Sequence, residues 1–425
     1  MTTSSTAPAS TATPSPLDRL DPAAMPVIGT IEHTRRVVIV GAGPVGLCAA
    51  LTLAQRGVAV MVVEKGERLN PESRASTFHP PTLELLEELG LVDQVMSLGL
   101  LAPTTQFRDR QLGPIATFDL GVLAGDTKYP FRIQLEQNKL AELALAELTS
   151  GRYDADVRFG HRTHRASTTD DGAVLLVGTA EEFIELHAPW AIGADGAHSS
   201  VRQSLGIGLT GETYPEEFLV VSVDEDLAEH LNDLAYVNYV ADPDEWLVLL
   251  KTPDHWRVLF PVQGTLDASS SDAGVQALLA GVADLGRPWK VLQWSQYVVS
   301  RRVATTMRAG HILLAGDAAH QNSPLGGMGM NSGIQDAVSA GRRLASVVSG
   351  EADDSTLDVY DERRRRVATE FVQADSHANW LVLREPDPKK RSEMQTEMRA
   401  AMSDPELHRA RMMRTAMLDA VRSAL

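Results

Sequence analysis

Hydrophobic and polar positions alternate with different periods along the chain, and the first clear pattern begins near residue 37. The β-branched run Val37–Val40 is typical of a strand that is buried on both faces. A glycine-rich turn over residues 41–46 follows, and then an Ala- and Leu-rich helical stretch over residues 47–56. A second apolar run over residues 58–63 ends at Glu64. The order strand, helix, strand predicts a βαβ unit and therefore a parallel sheet.

The rest of the chain mixes helical and alternating patterns. Apolar residues recur with helical spacing over residues 81–99, 137–148 and 331–348, and most of the chain after residue 357 has the same periodicity. Residues 104–120 and 217–262 instead alternate, which predicts a largely antiparallel sheet with one exposed face. We therefore predict an α/β fold that combines a parallel sheet with a mainly antiparallel one and ends in helices.

Composition and charge narrow the class of protein. The 425 residues are 44% hydrophobic, and 39 Lys+Arg against 56 Asp+Glu give a formal charge of −17. This charge disfavours nucleic acid and anionic membrane as partners. The single cysteine, Cys48, cannot form an internal disulfide, and no Cys/His cluster indicates a metal site, so we expect a cytoplasmic protein. No apolar run approaches the length of a transmembrane helix.

The glycine-rich turn has the spacing of a nucleotide-binding motif. Gly41 allows a tight turn, Gly43 lets the backbone approach a pyrophosphate, and Gly46 brings the helix against the sheet. The N-terminus of the helix offers unpaired N–H groups to the phosphates. Glu64, at the end of the next strand, can accept hydrogen bonds from a ribose diol. This motif alone does not choose between FAD and NAD.

Two further motifs choose the cofactor. The segment 193–202 (GADGAHSSVR) follows an apolar strand, and residues 316–320 (GDAAH) follow another. Residues 324–331 (PLGGMGMN) then lead into a helix. With these three motifs in this order, residues 35–375 resemble the single-component flavoprotein aromatic hydroxylases, the para-hydroxybenzoate hydroxylase-like FAD monooxygenases.

The resemblance implies that FAD is bound by residues of all three motifs and by single residues between them. These are Gly41, Gly43, Pro44, Val45, Gly46, Glu64, Lys65, Arg74, Gln137, Asp195, Gly196, Gly316, Asp317, Pro324, Gly327, Gly329, Met330 and Asn331. Asp317 suits the ribityl hydroxyls, and the loop before the helix at Asn331 aims N–H groups at the flavin pyrimidine edge. For Arg74 a solvated loop arginine is the alternative, and for Gln137 a plain first residue of a helix.

The chain has one strand–GxGxxG–helix unit, so NADH or NADPH is expected to bind transiently, reduce FAD and leave. The resemblance then implies hydroxylation of an aromatic or N-heteroaromatic small molecule with O₂ through a flavin C4a-hydroperoxide. The alternatives are an epoxidase or an isoprenoid-type reductase of the same fold, or a flavin-binding homologue without catalysis. The regiochemistry, the choice between NADH and NADPH, and monomer or homodimer stay open.

The three motifs are separated by sheet-forming segments, so the predicted domains interleave. A Rossmann-like FAD-binding domain comprises residues 34–105, 131–206 and 296–350, and a substrate-binding β-sheet domain comprises residues 106–130 and 207–295. Residues 351–425 form a C-terminal helical segment. Residues 1–33, which begin with a Thr-, Ser-, Ala- and Pro-rich stretch, are predicted to be a disordered tail.

The substrate is expected between the loop 324–331 and the sheet of residues 217–262. Candidate substrate residues are His79, Tyr239, Trp246, Phe260 and Pro324, although alternation alone does not separate the inward from the outward face. His79 is the candidate acid, base or phenolate partner, and the alternative is that it caps the helix beginning at Pro80 and Pro81. His320 is interpreted as a structural hydrogen-bonding residue rather than a base.

Overall fold

A computed structural model describes residues 28–71, 75–262 and 272–424. The strands are β1 Ile28–His33, β2 Val37–Val40, β3 Val60–Val63, β4 Thr77–Phe78, β5 Leu100–Ala102, β6 Thr104–Asp109, β7 Gly113–Asp119, β8 Arg132–Gln134, β9 Ala155–Arg158, β10 Arg162–Thr169, β11 Gly172–Gly178, β12 Phe183–Ala188, β13 Ala191–Gly193, β14 Leu209–Val223, β15 Val237–Ala241, β16 Leu247–Lys251, β17 Trp256–Val262, β18 Val291–Ala304, β19 Arg308–Ala309, β20 Ile312–Leu314 and β21 His320–Gln321.

Helices lie between the strands along the chain and make up most of its C-terminal part. They are α1 Pro44–Ala54, α2 Pro80–Glu88, α3 Val92–Leu98, α4 Gln137–Leu148, α5 Ser200–Ser204, α6 Asp272–Ala280, α7 Gly329–Val348, α8 Thr356–Val367, α9 Ala374–Leu383, α10 Pro388–Ser403, α11 Pro405–Thr415 and α12 Leu418–Ala424. A π-helical turn, Ala368–Gln373, joins α8 to α9. Among the described residues, no helix is long and apolar enough to cross a membrane.

The first sheet carries the nucleotide-binding motif. Its strand order over the described residues is β19-β20-β13-β2-β3-β9, and every pair except β19–β20 is parallel. The predicted βαβ unit is β2-α1-β3, with Val37 opposite Val60 and Val40 opposite Val63. All four residues of β2 and of β3 are buried, in a core that they share with α1 and with apolar side chains of β10, β11 and β12. Strands from distant parts of the chain thus bring the three motifs to one edge.

The second sheet is mainly antiparallel, as the alternating pattern predicts. Its order is β21-β18-β14-β17-β16-β15-β6-β7, in which only the β15–β6 pair is parallel. Two separate clusters of apolar side chains cover its faces. One cluster contains Phe107, Tyr239 and Leu259, and the other contains Val240 and Phe260. Neighbouring residues of one strand therefore face different cores.

Two expectations about elements were wrong. Residues 28–33, which we assigned to the tail, form β1, which pairs in parallel with β12 from Ile28 opposite Phe183 to His33 opposite His187. The remainder of the predicted tail, residues 1–27, lies outside the described residues. The pattern over residues 81–99 predicted one helix, but Gly90 adopts a φ of +74° and separates α2 from α3. A glycine in this left-handed conformation ends a helix without the steric cost that a side chain would add.

Candidate active site

The glycine-rich turn between β2 and α1 leaves its second position open. A Cβ atom on Gly46 would lie 2.0 Å from the carbonyl oxygen of Gly41, and one on Gly41 would lie 2.5 Å from that of Ala194. Both glycines are therefore required by the fold itself. A Cβ on Gly43 would meet no protein atom within 4 Å, although Gly43 has an ordinary φ of −72°. The space at Gly43 is thus free for a group that is not protein, directly at the N-terminus of α1.

Glu64 lies at the end of β3, beside this turn. Its carboxylate accepts hydrogen bonds from the backbone N–H of Ala42 at 2.8 Å and of Gly66 at 2.9 Å. These bonds fix the carboxylate next to the open position at Gly43. Each carboxylate oxygen has further acceptor capacity, as a ribose diol requires.

Asp195 contributes a second carboxylate from the segment after β13. Its Oδ2 accepts hydrogen bonds from the Ser200 hydroxyl at 3.1 Å and the Val201 N–H at 3.2 Å. Its Oδ1 is buried and has no hydrogen-bond partner among the residues that the structure describes. A buried acceptor without a partner is costly, so this oxygen is suited to a donor from a bound molecule. The neighbouring Gly196, at φ +83°, would also have open space around a Cβ.

Asp317 lies on a short turn, Gly316–Ala318, that follows β20. Gly316 and Ala318 are buried, whereas Asp317 between them is exposed. The turn therefore presents this one carboxylate to the space in front of the parallel sheet. Together the open position at Gly43, the Oδ1 of Asp195 and the exposed Asp317 fit a long cofactor with hydroxyl groups and a pyrophosphate. We call the region of residues 41–46, Glu64, Asp195, Asp317 and the loop 324–329 the cofactor cleft.

Asn331 holds the loop 324–329 against β4. Its side-chain NH₂ donates to the carbonyl oxygens of Thr77 at 2.7 Å and Gly327 at 2.6 Å, and its Oδ1 accepts from the His79 N–H at 2.9 Å. Gly326 and Gly327 have φ values of +100° and +66°, which other residues rarely adopt. Asn331, fully buried, therefore fixes the shape of a loop whose glycines leave it free to bend.

Asp336 forms a buried network behind the turn of Asp317, and the sequence analysis missed it. Its carboxylate accepts hydrogen bonds from His320 Nε2 at 2.7 Å, Arg364 Nε at 2.5 Å and the Gly316 N–H at 3.0 Å. Burial alone would raise the pKa of Asp336, but the charges and hydrogen bonds of His320 and Arg364 hold this pKa below its usual 3.8. Asp336 therefore joins α7, α8 and the turn as an anion. The role of His320 is the structural hydrogen bonding that we predicted.

A small cavity lies between the loop 324–329, the antiparallel sheet and α11, and we call it the aromatic cavity. Its empty space, part of which is open to solvent, is about 300 Å³. The ring of Tyr239 on β15 stacks on that of Phe107 on β6, with centroids 5.3 Å apart. The Tyr239 hydroxyl accepts a hydrogen bond from the Gly326 N–H at 3.0 Å, which ties the sheet to the loop. The side chains that define the cavity include Phe107, Phe118, Arg132, Tyr239, Met328 and Arg411.

The structure brings only some of the candidate substrate residues to this cavity. Tyr239 lines it, and Pro324 begins the loop beside it, accepting from the Gly327 N–H at 2.9 Å. Trp246 packs edge-on against Phe218 in the core next to the cavity. Phe260 belongs to the core on the opposite face of the sheet, so the structure does not bring it to this cavity. The cause is the strand period of two, which alternation shows without saying which face is inward.

His79 lies behind the wall of the cavity. It is the N-cap residue of α2, but its side chain does not cap that helix. Instead its Nε2 hydrogen-bonds to the carbonyl oxygen of Gly326 at 2.8 Å. Because that carbonyl is an acceptor, Nε2 carries the proton and Nδ1, which is buried without a partner, does not. Burial and the charge of Arg132 hold the pKa of His79 well below 6.5, so the ring is neutral.

Three predicted cofactor residues stand apart from the others. Arg74 lies outside the described residues. Lys65 is exposed beyond Glu64, and Gln137 is the first residue of α4, so neither is brought into the walls of the cleft by the contacts above. Arg132 on β8 and Arg411 on α11 line the aromatic cavity but were not predicted as site residues. The only sign of them in the sequence is that each is a basic residue among apolar neighbours.

The comparisons with known proteins agree with this geometry. Residues 34–375 match the family model described as FAD binding domain. The chain is 33% identical to para-nitrophenol 4-monooxygenase of Pseudomonas sp. (strain WBC-3), over 85% of this chain and 90% of that protein. It is 31% identical to pentachlorophenol 4-monooxygenase of Sphingobium chlorophenolicum, over 80% of this chain and 64% of the relative.

Solved structures show the same relationship. The p-nitrophenol 4-monooxygenase of Pseudomonas putida DLL-E4 superposes with a TM-score of 0.87 at 29% identity, covering 92% of this chain and 98% of that one. An aklavinone-11 hydroxylase crystallised with FAD and aklavinone superposes with a TM-score of 0.75 at 28% identity, covering 83% and 69%. The chain therefore belongs to the FAD binding domain family and is an FAD-dependent, NAD(P)H-using monooxygenase that hydroxylates a small aromatic molecule with O₂.

Proposed function

We propose that this enzyme hydroxylates a phenol with a single aromatic ring, bound in the aromatic cavity. The observation that carries the proposal is that one small cavity is lined both by the loop 324–329 and by aromatic side chains of the antiparallel sheet. The rings of Phe107, Phe118 and Tyr239 in its wall offer flat apolar contacts to a substituted ring. Two relatives that match over most of both chains act, by name, on p-nitrophenol, and a third, 28% identical, acts by name on 6-hydroxy-3-succinoylpyridine.

In this proposal the cofactor cleft holds FAD through groups of different chemistry. The N–H groups at the start of α1 and the open position at Gly43 take the pyrophosphate, and Glu64 takes a ribose diol. Asp317 takes the ribityl hydroxyls, and the loop 324–329 runs along the flavin ring. FAD supplies the activation of O₂ when it is bound. The protein excludes water and places the phenol carbon within reach.

The hydrogen bonds at Gly326 give His79 and Tyr239 a shared role. Gly326 donates its N–H to Tyr239 and its carbonyl accepts from His79, so both backbone groups of one residue are fixed. We infer that these two side chains hold the loop between cofactor and substrate. Both are neutral near pH 7, since burial raises the pKa of Tyr239 above 10.0 and lowers that of His79. His79 is thus a positioning residue in this proposal.

The discontinuous domains, the cytoplasmic location and the monomeric or homodimeric state stay predictions. The domain prediction is supported by the parallel sheet, whose strands β2, β9 and β20 come from distant segments. One modification is proposed: the C-terminal helical segment belongs to the substrate site, because α11 supplies Arg411 and Met412 to the aromatic cavity.

The proposal is tested with the purified, FAD-loaded enzyme and a panel of ring compounds. The panel contains 4-nitrophenol, a hydroxybenzoate, a hydroxypyridine and a fused tetracyclic phenol. Single-ring phenols should accelerate NADH or NADPH oxidation and yield a product that gains one oxygen-18 atom from ¹⁸O₂. Acceleration by the tetracyclic compound alone would contradict the single-ring assignment, and oxygen-18 from labelled water instead of O₂ would contradict hydroxylation through FAD.

A further inference from the structure

Two arginines from distant parts of the chain meet in the aromatic cavity. Arg132 lies on β8 and is only 2% exposed, and Arg411 lies on α11 and is partly buried. Arg132 donates from Nη2 to the carbonyl oxygen of Thr415 at 3.1 Å, at the C-terminal end of α11. Its Nε and Nη1, and the Nε of Arg411, are buried and form no hydrogen bond of good geometry with any described residue. The two guanidinium groups thus have no anionic acceptor, and the neutral Tyr239 hydroxyl is the side-chain group that interacts with Arg132.

No carboxylate of the described residues compensates these charges. Neither guanidinium forms a salt bridge there, and no carboxylate contributes to the pKa of either, although the neutral Tyr239 hydroxyl interacts with Arg132 and raises its pKa. Burial lowers the pKa of both arginines, although a guanidinium keeps its proton at neutral pH. Arg411 instead lies over the rings of Phe107 and Phe118, with its Cζ 5.1 Å and 4.7 Å from their centroids. Those contacts orient the charge but leave the Nε donor unused.

The other polar groups at the cavity are neutral. His79 is uncharged because its pKa is far below 6.5, and Tyr239 because its pKa is above 10.0. The cavity therefore carries two positive charges among aromatic rings and no negative charge from the described residues. Buried charges without partners are costly, and a bound anion would compensate them.

We propose that Arg132 and Arg411 bind a planar pair of negatively charged oxygens on the aromatic substrate, the carboxylate of a hydroxybenzoate or the nitro group of a nitrophenolate. This inference rests on the proposed function, since it names the substrate class of the same cavity. The flat donor edges of guanidinium match two coplanar oxygens, which a single ammonium does not. A ring held in this way lies in a cavity that Gly326 and Met328 of the loop also line.

The position of Arg411 adds a consequence for specificity. The match to the FAD-binding family ends at residue 375, and Arg411 lies beyond it on α11. The part of the chain that matches the family thus builds the cofactor cleft and supplies Arg132. A helix outside that match supplies the second charge, so α11 acts as a specificity element for anionic rings.

The test compares ligands of nearly equal shape that differ in charge. Dissociation constants of benzoate and benzamide are measured by calorimetry on the FAD-loaded enzyme, together with 4-nitrophenolate. Benzoate should bind at least about tenfold more tightly than benzamide, because charge-assisted hydrogen bonds are about twice as strong as neutral ones. R411Q should remove roughly that factor for benzoate and for 4-nitrophenolate while leaving benzamide unchanged. R411K should restore part of it, since the charge returns without the planar fork.

Arg409→Gln is the matched control on the same helix. Arg409 is exposed and pairs with Asp126, away from the aromatic cavity, so this variant should keep the full preference for benzoate. FAD content and the melting temperature of each variant show whether it folds. Equal affinity of the wild type for benzoate and benzamide, or an unchanged preference in R411Q, would overturn the inference.

Failure of the inference is distinguishable from failure of the proposed function. An enzyme that incorporates oxygen-18 into neutral and anionic phenols with similar kcat/KM keeps the proposed function and overturns the role of the arginines. An enzyme that binds benzoate through Arg411 but transfers oxygen to no single-ring phenol supports the anion site and overturns the proposed function.

Discussion

The cofactor cleft and the aromatic cavity differ in what their walls are made of. In the cleft the walls are largely backbone: glycines at 41, 43 and 46, the N-terminus of α1, and a loop with two glycines at positive φ. In the aromatic cavity the walls are side chains, from Phe107 on β6 to Arg411 on α11. A substitution in the cofactor cleft therefore shifts the backbone, whereas a substitution in the aromatic cavity replaces one side-chain group by another.

This difference implies that the backbone of the cofactor cleft must stay constant, whereas the side chains of the aromatic cavity can vary. A cleft for one cofactor needs the same backbone path in every relative that uses it. A cavity lined by side chains can accept a new substrate after one or two substitutions, provided that the sheet beneath remains packed. The buried network of Asp336 belongs with the cleft, because it anchors the turn that carries Asp317.

The largest effect is expected for Asp336→Asn. Loss of the charge leaves Arg364 buried without its counterion, which should lower the free energy of unfolding by about 3–5 kcal/mol. Because the folded pKa of Asp336 lies below 3.8, its carboxylate stabilises the fold above the unfolded pKa and this contribution is lost as the pH falls through the folded value. Denaturant unfolding of the wild type and the variant at neutral and at acid pH measures both the loss of stability and its dependence on pH.

The stability difference between wild type and D336N should therefore shrink as the pH falls below about 4. Arg365→Gln is the control, because Arg365 forms a partly exposed pair with Asp361 on the same helix as Arg364. It should cost no more than about 0.5 kcal/mol. If R365Q and D336N lowered the free energy of unfolding equally, the buried pair of Asp336 and Arg364 would contribute no more than a surface ion pair.

The next largest effect is expected from alanine substitutions at two glycines of the cofactor cleft, which should have different consequences. In Gly46→Ala the new Cβ would meet the Gly41 carbonyl at 2.0 Å, so the apoprotein should lose roughly 1–3 kcal/mol of stability as the turn shifts. In Gly43→Ala the Cβ meets no protein atom, so apoprotein stability should stay within about 0.5 kcal/mol. Its FAD affinity should fall at least about tenfold, because the Cβ occupies the proposed path of the pyrophosphate. Chemical unfolding and flavin fluorescence titration give the two quantities.

Gly125→Ala provides the matched substitution outside the cleft, since Gly125 is exposed and a Cβ there also meets no atom within 4 Å. It should change neither stability nor FAD affinity. Normal FAD affinity in G43A would place the pyrophosphate elsewhere, and a destabilised G43A apoprotein would show that the open position is needed by the fold.

More of the cofactor cleft than of the aromatic cavity could be predicted from the sequence, and the reason is physical. A tight turn, a close approach and a helix N-terminus are local, so Gly41, Gly43, Gly46 and Asp317 appear in short motifs. Tyr239 and Phe107 become neighbours only because β15 pairs with β6 across more than a hundred residues. Arg411 reaches the cavity through the packing of α11, which helical periodicity does not orient.

The smallest effect tests the two faces of the antiparallel sheet. Tyr239→Phe removes the acceptor of the Gly326 N–H, which should cost about 1–2 kcal/mol of stability. It should also lower kcat more than it raises KM, since the loop at Gly326 is held less firmly while the ring of residue 239 remains. Phe260→Leu, on the opposite face of the sheet, should cost a similar amount of stability through lost packing and leave kcat and KM unchanged. Steady-state kinetics of the two variants with one phenol measure this contrast. A change in KM for F260L as large as that for Y239F would place the substrate on the other face and separate it from the loop at Gly326.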